Sequence, residues 1–207
     1  MSDEKRMAGD FHIIQSMLIG DKEVVIGENP NAEQGHRYMC ALGTQNELFD
    51  LFTDVLESDD YPAIVQIYTQ RVGEQNEKVL AETKQMEALG IDLAPITADG
   101  CQVITPDDDL NGKVIVIKPD VLRQEYRVST HQLKLCLGGF GASPRSRGSA
   151  VFCADLYSGQ RSRYERWDVL GVLESEVLPD WAKYGLAEVQ RRQAEKGTPQ
   201  KNDKEGR

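Results

Sequence analysis

Between His131 and Trp167 six basic residues, Lys134, Arg145, Arg147, Arg161, Arg163 and Arg166, stand against two acids, Asp155 and Glu165. That window is +4 in a chain whose formal net charge is −10, which leaves −14 for everything outside it. Guanidinium groups gathered this way can grip phosphates or a carboxylate-rich partner through paired, charge-assisted hydrogen bonds. Phe140, in the loop Gly139-Phe140-Gly141, adds an aromatic able to stack on a base. The expected partner-contacting or nucleic-acid-contacting set is therefore Lys134, Phe140, Arg145, Arg147, Arg161, Arg163 and Arg166. The competing reading is a row of surface arginines guarding an edge hairpin against sheet-to-sheet pairing.

Other patterns point away from catalysis. Gly139-x-Gly141 lacks the third glycine of a dinucleotide loop, Pro144 follows, and strands flank it on both sides. Its expected role is a flexible connection needing positive φ angles. Asp107-x-Asp109-x-Asn111-Gly112 copies half a calcium loop, but the position that needs a bidentate Glu is Lys118 and a strand follows; the expectation is an acidic turn. His12, His36 and His131 have no Cys, Asp or Glu at ligand spacing, and no Ser or Cys sits in a nucleophile-elbow sequence. A binding protein with no cofactor, metal or enzymatic activity is expected.

The hairpin around Ser158-Gly159 sets which way the arginines face. A two-residue turn would place Arg161 and Arg163 on the face of Phe152 and Leu156. A three-residue turn with Gly159 in the left-handed bulge position would put them opposite that face, with Asp155. The second register keeps the arginines out of the core and is the one expected.

The chain has 207 residues, 40% hydrophobic and 28% charged, enough for one domain or two small ones. No apolar run approaches the roughly 20 residues of a membrane span, and no apolar stretch follows the charged N-terminus. Four widely spaced cysteines, Cys40, Cys101, Cys136 and Cys153, read as reduced thiols packed in strands, implying a cytoplasmic location. A pI near 4.8 argues against general affinity for nucleic acid or anionic lipid and suits a basic partner.

An α+β fold is expected in two modules. Residues 1–10 read as disordered. Residues 11–90 form a small antiparallel sheet with a long helix: strands 11–19 and 23–26 around the Gly20-Asp21 turn, a third strand over 38–42, and a segment 46–57 whose apolar residues recur at helical spacing. The helix, from about Tyr61 to Leu89, has Ser58, Asp59 and Asp60 as cap candidates, Pro62 in its first turn and Gly90 as its stop. Its first half is expected to pack on the sheet, and its second half to project, supported by a Glu74–Lys78 pair. Residues 91–112 read as a linker. Residues 113–190 form a second antiparallel module, with strands at 113–118, 132–137, 150–156, 161–167 and 169–173, a short helix over 119–127 and a last helix opened by Pro179. Residues 191–207 read as a disordered tail.

Two strings, Ile19-Gly-Asp-Lys-Glu-Val-Val-Ile-Gly-Glu-Asn-Pro30 and Gly138-Gly-Phe-Gly-Ala-Ser-Pro-Arg-Ser-Arg-Gly148 with Trp167-Asp-Val-Leu-Gly171 downstream, resemble uncharacterised accessory proteins of conjugative and phage-like mobile elements of gut Firmicutes. The likeness covers most of the chain but not its ends, and it carries no functional residue across. It implies a counter-defence role of the anti-CRISPR or antirestriction kind, with a host nucleoprotein or nuclease such as Cas9 as partner. The alternative is an accessory module that binds DNA or RNA through the basic hairpin.

Overall fold

A computed structural model describes residues 6–45 and 50–197. The chain is α+β and divides into two compact units, 1–89 and 90–207.

The first unit is a curled five-stranded antiparallel sheet in sequence order: β1 (Met7–Ala8), β2 (Phe11–Ile19), β3 (Lys22–Glu28), β4 (Tyr38–Gln45) and β5 (Asp50–Ser58). Ile19 faces Lys22 across the expected Gly20-Asp21 turn. The central strand β3 is apolar on both sides because both of its faces are covered. Val24 and Ile26 join Cys40, Ile64 and Tyr68 under the helix, while Val25 joins Met39, Ala41 and Ala8 on the other face. That second face is bordered by Glu23, whose carboxylate takes two 2.7 Å hydrogen bonds from Arg6.

Two expectations change here. Residues 50–58 are a strand, not a helix or loop; Leu48 and Phe49 lie outside the described residues. A bulge opposite Cys40–Leu42, with Asp54 at φ 51°, breaks the strand's alternation, so its apolar residues fall at spacings that mimic a helix. The N-terminal stretch, expected to be disordered, contributes β1 at Met7–Ala8.

Helix α1 (Tyr61–Ala88) starts where the cap residues require. The Asp60 carboxylate accepts from Ala63 N at 3.3 Å, Pro62 occupies the first turn, and Gly90 follows at φ 72°. Ile64 and Tyr68 are buried on the sheet, and Gln75 donates to Asp21. In the second half Met86 is buried, while Leu80 and Leu89 are 49% and 67% exposed. Glu74 and Lys78 do not pair: Glu74 accepts from Gln70 and Lys78 donates to Gln75, which Asp21 already holds in place.

The second unit holds β6 (Gln102–Val103), β7 (Val114–Ile117), the single helical turn α2 (Ser129–Gln132), β8 (Leu133–Gly138), β9 (Ala150–Asp155), β10 (Arg161–Glu165), β11 (Val169–Leu173) and α3 (Asp180–Gly197). The strands form an antiparallel sheet in the order β10-β9-β8-β7-β11-β6. Alternation along β7 to β9 sends one set of side chains to each face. Val114, Val116, Leu133, Leu135 and Ala154 pack under α3, with Leu178, Ala182 and Val189. Ile115, Ile117, Cys136, Val151 and Cys153 face the opposite way, covered by Leu110, Leu122 and Ala142 from the connecting segments.

Residues 91–112 are therefore no free linker. Leu110 is fully buried, β6 pairs with β11, and the buried Gln132 side chain accepts from Ile96 N at 2.7 Å while donating to Ile96 O at 3.0 Å. Residues 119–127 form two separate 3-10 turns, 119–121 and 124–126, instead of one helix, with Leu122 turned into the core between them. The C-terminal helix continues to Gly197, so the expected tail is helical over its first seven residues; residues 198–207 lie outside the described part.

Candidate binding surface on the second unit

The β9–β10 hairpin closes through four residues, Leu156 to Gly159. Asp155 N donates to Gln160 O and Gly159 N to Asp155 O, both at 2.9 Å, and Asp155 Oδ1 accepts from Tyr157 N and Ser158 N. Arg161 therefore faces Ala154, and Arg163 faces Phe152. The expected three-residue turn, with the arginines on the side of Asp155, is not formed. A side chain that caps two amides at once stabilises the longer turn, and the register follows from it.

The seven residues expected to make contacts divide by environment. Lys134 is buried: its Nζ lies 2.8 Å from Asp155 Oδ2 and 5.6 Å from the Tyr164 ring centre. Burial works most strongly against its charge, but Asp155, Tyr164 and Cys153 together outweigh it and the Lys134 pKa is raised. Arg145, in left-handed backbone at φ 48°, pairs with Asp107. Arg163 pairs with Glu165 at 2.6 Å. Arg166 is half-buried and structural, its guanidinium donating to the carbonyls of Gly141, Ser143, Thr105 and Asp108 at 2.6, 3.4, 2.8 and 2.7 Å.

Three members remain open to a partner. Arg147 and Arg161 are exposed and, among the described residues, have no carboxylate within ion-pairing distance. Phe140 is 78% exposed and lies across Gly148. The compact loop beneath it requires glycine: a Cβ on Gly139 would come within 2.3 Å of Ala150 O, and one on Gly141 within 2.0 Å of Ser149 O.

The acidic turn is occupied by its own loop. Asp108 accepts from Thr105 N and Oγ1, and Asp109 from Asn111 N and Nδ2, which holds both carboxyls below their ordinary pKa. Among the described residues no group of three or more His, Cys, Asp or Glu side chains is arranged to hold a metal ion.

Sequence reasoning missed Arg192 and Gln193 of α3, which share a groove with Arg161, Ala154 and Leu137. The available signal was spacing: they follow the buried Val189 by three and four residues and so continue its face.

No family model, curated protein or solved structure matches the chain. Among the described residues no helix is long and apolar enough to cross a membrane.

Proposed function

We propose that this protein is a counter-defence factor that blocks a host nucleic-acid-processing complex such as Cas9, its acidic first unit occupying a basic channel of that complex. The observation that supports this reading is the division of charge. Residues 1–89 hold 17 acidic against 7 basic residues, a balance of −10, while residues 90–207 hold 17 of each and balance to zero. On α1, Glu74, Glu77, Glu82 and Glu87 are all exposed, and the last three have no basic partner among the described residues. Steric and electrostatic competition needs no reacting group, and a concentrated negative surface raises the association rate with a basic groove.

The alternative, nucleic acid held by the basic hairpin, loses four of its seven contacts to internal pairing. Purified Cas9 with its guide, assayed for DNA cleavage against increasing amounts of this protein, tests the proposal. Inhibition is expected, weakening with salt and weakening again in the variant Glu77→Gln/Glu82→Gln/Glu87→Gln. Undiminished cleavage at molar excess and low salt, together with direct binding of the protein to free DNA or RNA, would favour the hairpin reading.

A further inference from the structure

We propose that the groove between the β9–β10 hairpin and α3 is a binding site for a small oxyanion, a phosphate or carboxylate carried on a compact apolar body. This site lies within the second unit and does not depend on the reading of the first.

The cavity, about 140 Å³, is lined on its polar side by Arg161, Arg192 and Gln193 and on its apolar side by Leu137, Ala154 and Val189. Among the described residues no carboxylate lines it. Two guanidinium groups thus share one concavity with no described carboxylate among its lining residues, although the surrounding surface has acids to offer. Arg161 makes no ion pair among the described residues. Arg192 uses Nε, donating to Glu188 Oε1 at 2.8 Å, which anchors the side chain from behind. Its terminal nitrogens lie toward the hairpin; a Cβ built on Gly159 would stand 3.0 Å from Nη1.

The arrangement has the parts that oxyanion recognition needs. Arginine presents planar forks that match phosphate and carboxylate oxygens in pairs, and one held by a carboxylate at Nε loses less freedom on binding. Gln193 adds amide donors at the same rim. The apolar floor excludes water from one side of the ligand, which strengthens the charged contacts above it. An elongated polyanion would not use this floor, so the geometry favours a compact ligand over a nucleic-acid backbone.

The test is titration of the full chain with inorganic phosphate, phenyl phosphate and benzoate in low-salt buffer, following the arginine Nε–H signals by NMR, with chloride matched for ionic strength. Saturable shifts at Arg161 and Arg192 are expected, larger with the aromatic ligands than with inorganic phosphate. Phenyl phosphate against benzoate decides which oxyanion is preferred. Arg161→Gln should weaken binding by about tenfold or more, the loss of one bidentate charged contact, while Arg147→Gln leaves it unchanged. Arg161 is exposed, so an unshifted melting temperature will show that the variant folds. Shifts that never saturate, that chloride reproduces, or that persist in Arg161→Gln would overturn the proposal. So would tighter binding of a single-stranded oligonucleotide that is lost equally in Arg147→Gln and Arg161→Gln, which would make this a nucleic-acid surface.

Discussion

Lys134 and Asp155 form a buried ion pair across β8 and β9, Nζ to Oδ2 at 2.8 Å, with side chains only 5% and 8% exposed. The first basic residue of the cationic stretch is thus a fixture of the core. Asp155 serves two structures at once, since its other oxygen holds the hairpin turn through Tyr157 N and Ser158 N.

Removing one member of such a pair leaves an uncompensated buried charge. Asp155→Ala also removes the turn cap, and should destabilise the second unit by about 3–5 kcal/mol. Lys134→Met should cost less, because Asp155 keeps its two amide donors. In chemical denaturation the double variant Lys134→Met/Asp155→Asn should show a coupling energy above about 1 kcal/mol. Strict additivity would mean the two charges do not meet.

Arg166 joins residues 105–108 to residues 141–143 through four carbonyls. Lysine has the charge without the planar fork, so Arg166→Lys should not rescue the site. A loss of about 2–3 kcal/mol is expected, the order of a hydrogen bond made by a charged donor, with faster proteolysis near residue 144. Equal protease resistance in the variant and the parent would show that the loops hold themselves.

The pH dependence has two windows. His131 stacks on Tyr126 with ring centres 4.2 Å apart, and its pKa is lowered chiefly by burial, against the opposing pull of Asp155; Lys134 lowers it further and Glu125 raises it. A histidine with a depressed folded pKa takes its proton in the unfolded chain first. Stability should therefore fall as pH drops through about 6.5, the unfolded value, and level off below the folded one. His131→Phe keeps the stack and should flatten the melting temperature between pH 7 and 5.5. Asp59, Asp108, Asp109 and Glu188 behave in the opposite sense: hydrogen bonds lower their pKa, Glu188 to about 2, and the stability they add is lost only as pH falls below the ordinary carboxylate range. If the wild type shows no slope above pH 5.5, His131 is not buried neutral.

Local signals were readable where one residue decides an outcome. Asp60, Pro62 and Gly90 bracket α1, Gly20-Asp21 closes β2 on β3, and Pro179 precedes α3, each through a backbone preference that needs no partner. The failures share a different cause. Asp54 adopts a bulge that shifts the phase of β5, and residues 91–112 look like a linker because two of their scattered apolar residues, Ile96 and Leu110, are held by distant Gln132 and Ala142. The same cause divides the cationic set. Proximity in sequence counted Lys134, Arg145, Arg163 and Arg166 as available, whereas Asp155, Asp107, Glu165 and four carbonyls claim them only in the folded chain.

Two glycines inside helices should respond to the same substitution with opposite signs. Alanine stabilises an exposed helix interior by about 0.5–1 kcal/mol relative to glycine. On α1, a Cβ at Gly73 would meet nothing within 4 Å, so Gly73→Ala should raise stability by that amount. On α3, a Cβ at Gly185 would lie 1.9 Å from Leu156 O and 2.8 Å from its carbonyl carbon. That contact is with backbone, which cannot swing aside, so the helix must lift from the sheet and loosen Ala182 and Val189 from their packing. Overpacking of this kind costs about 1–3 kcal/mol, more than the helix gains. Gly185→Ala should therefore lower the denaturation midpoint, and by lifting α3 it should also move Arg192 away from Arg161. A variant as stable as the parent would mean that α3 does not approach the hairpin this closely.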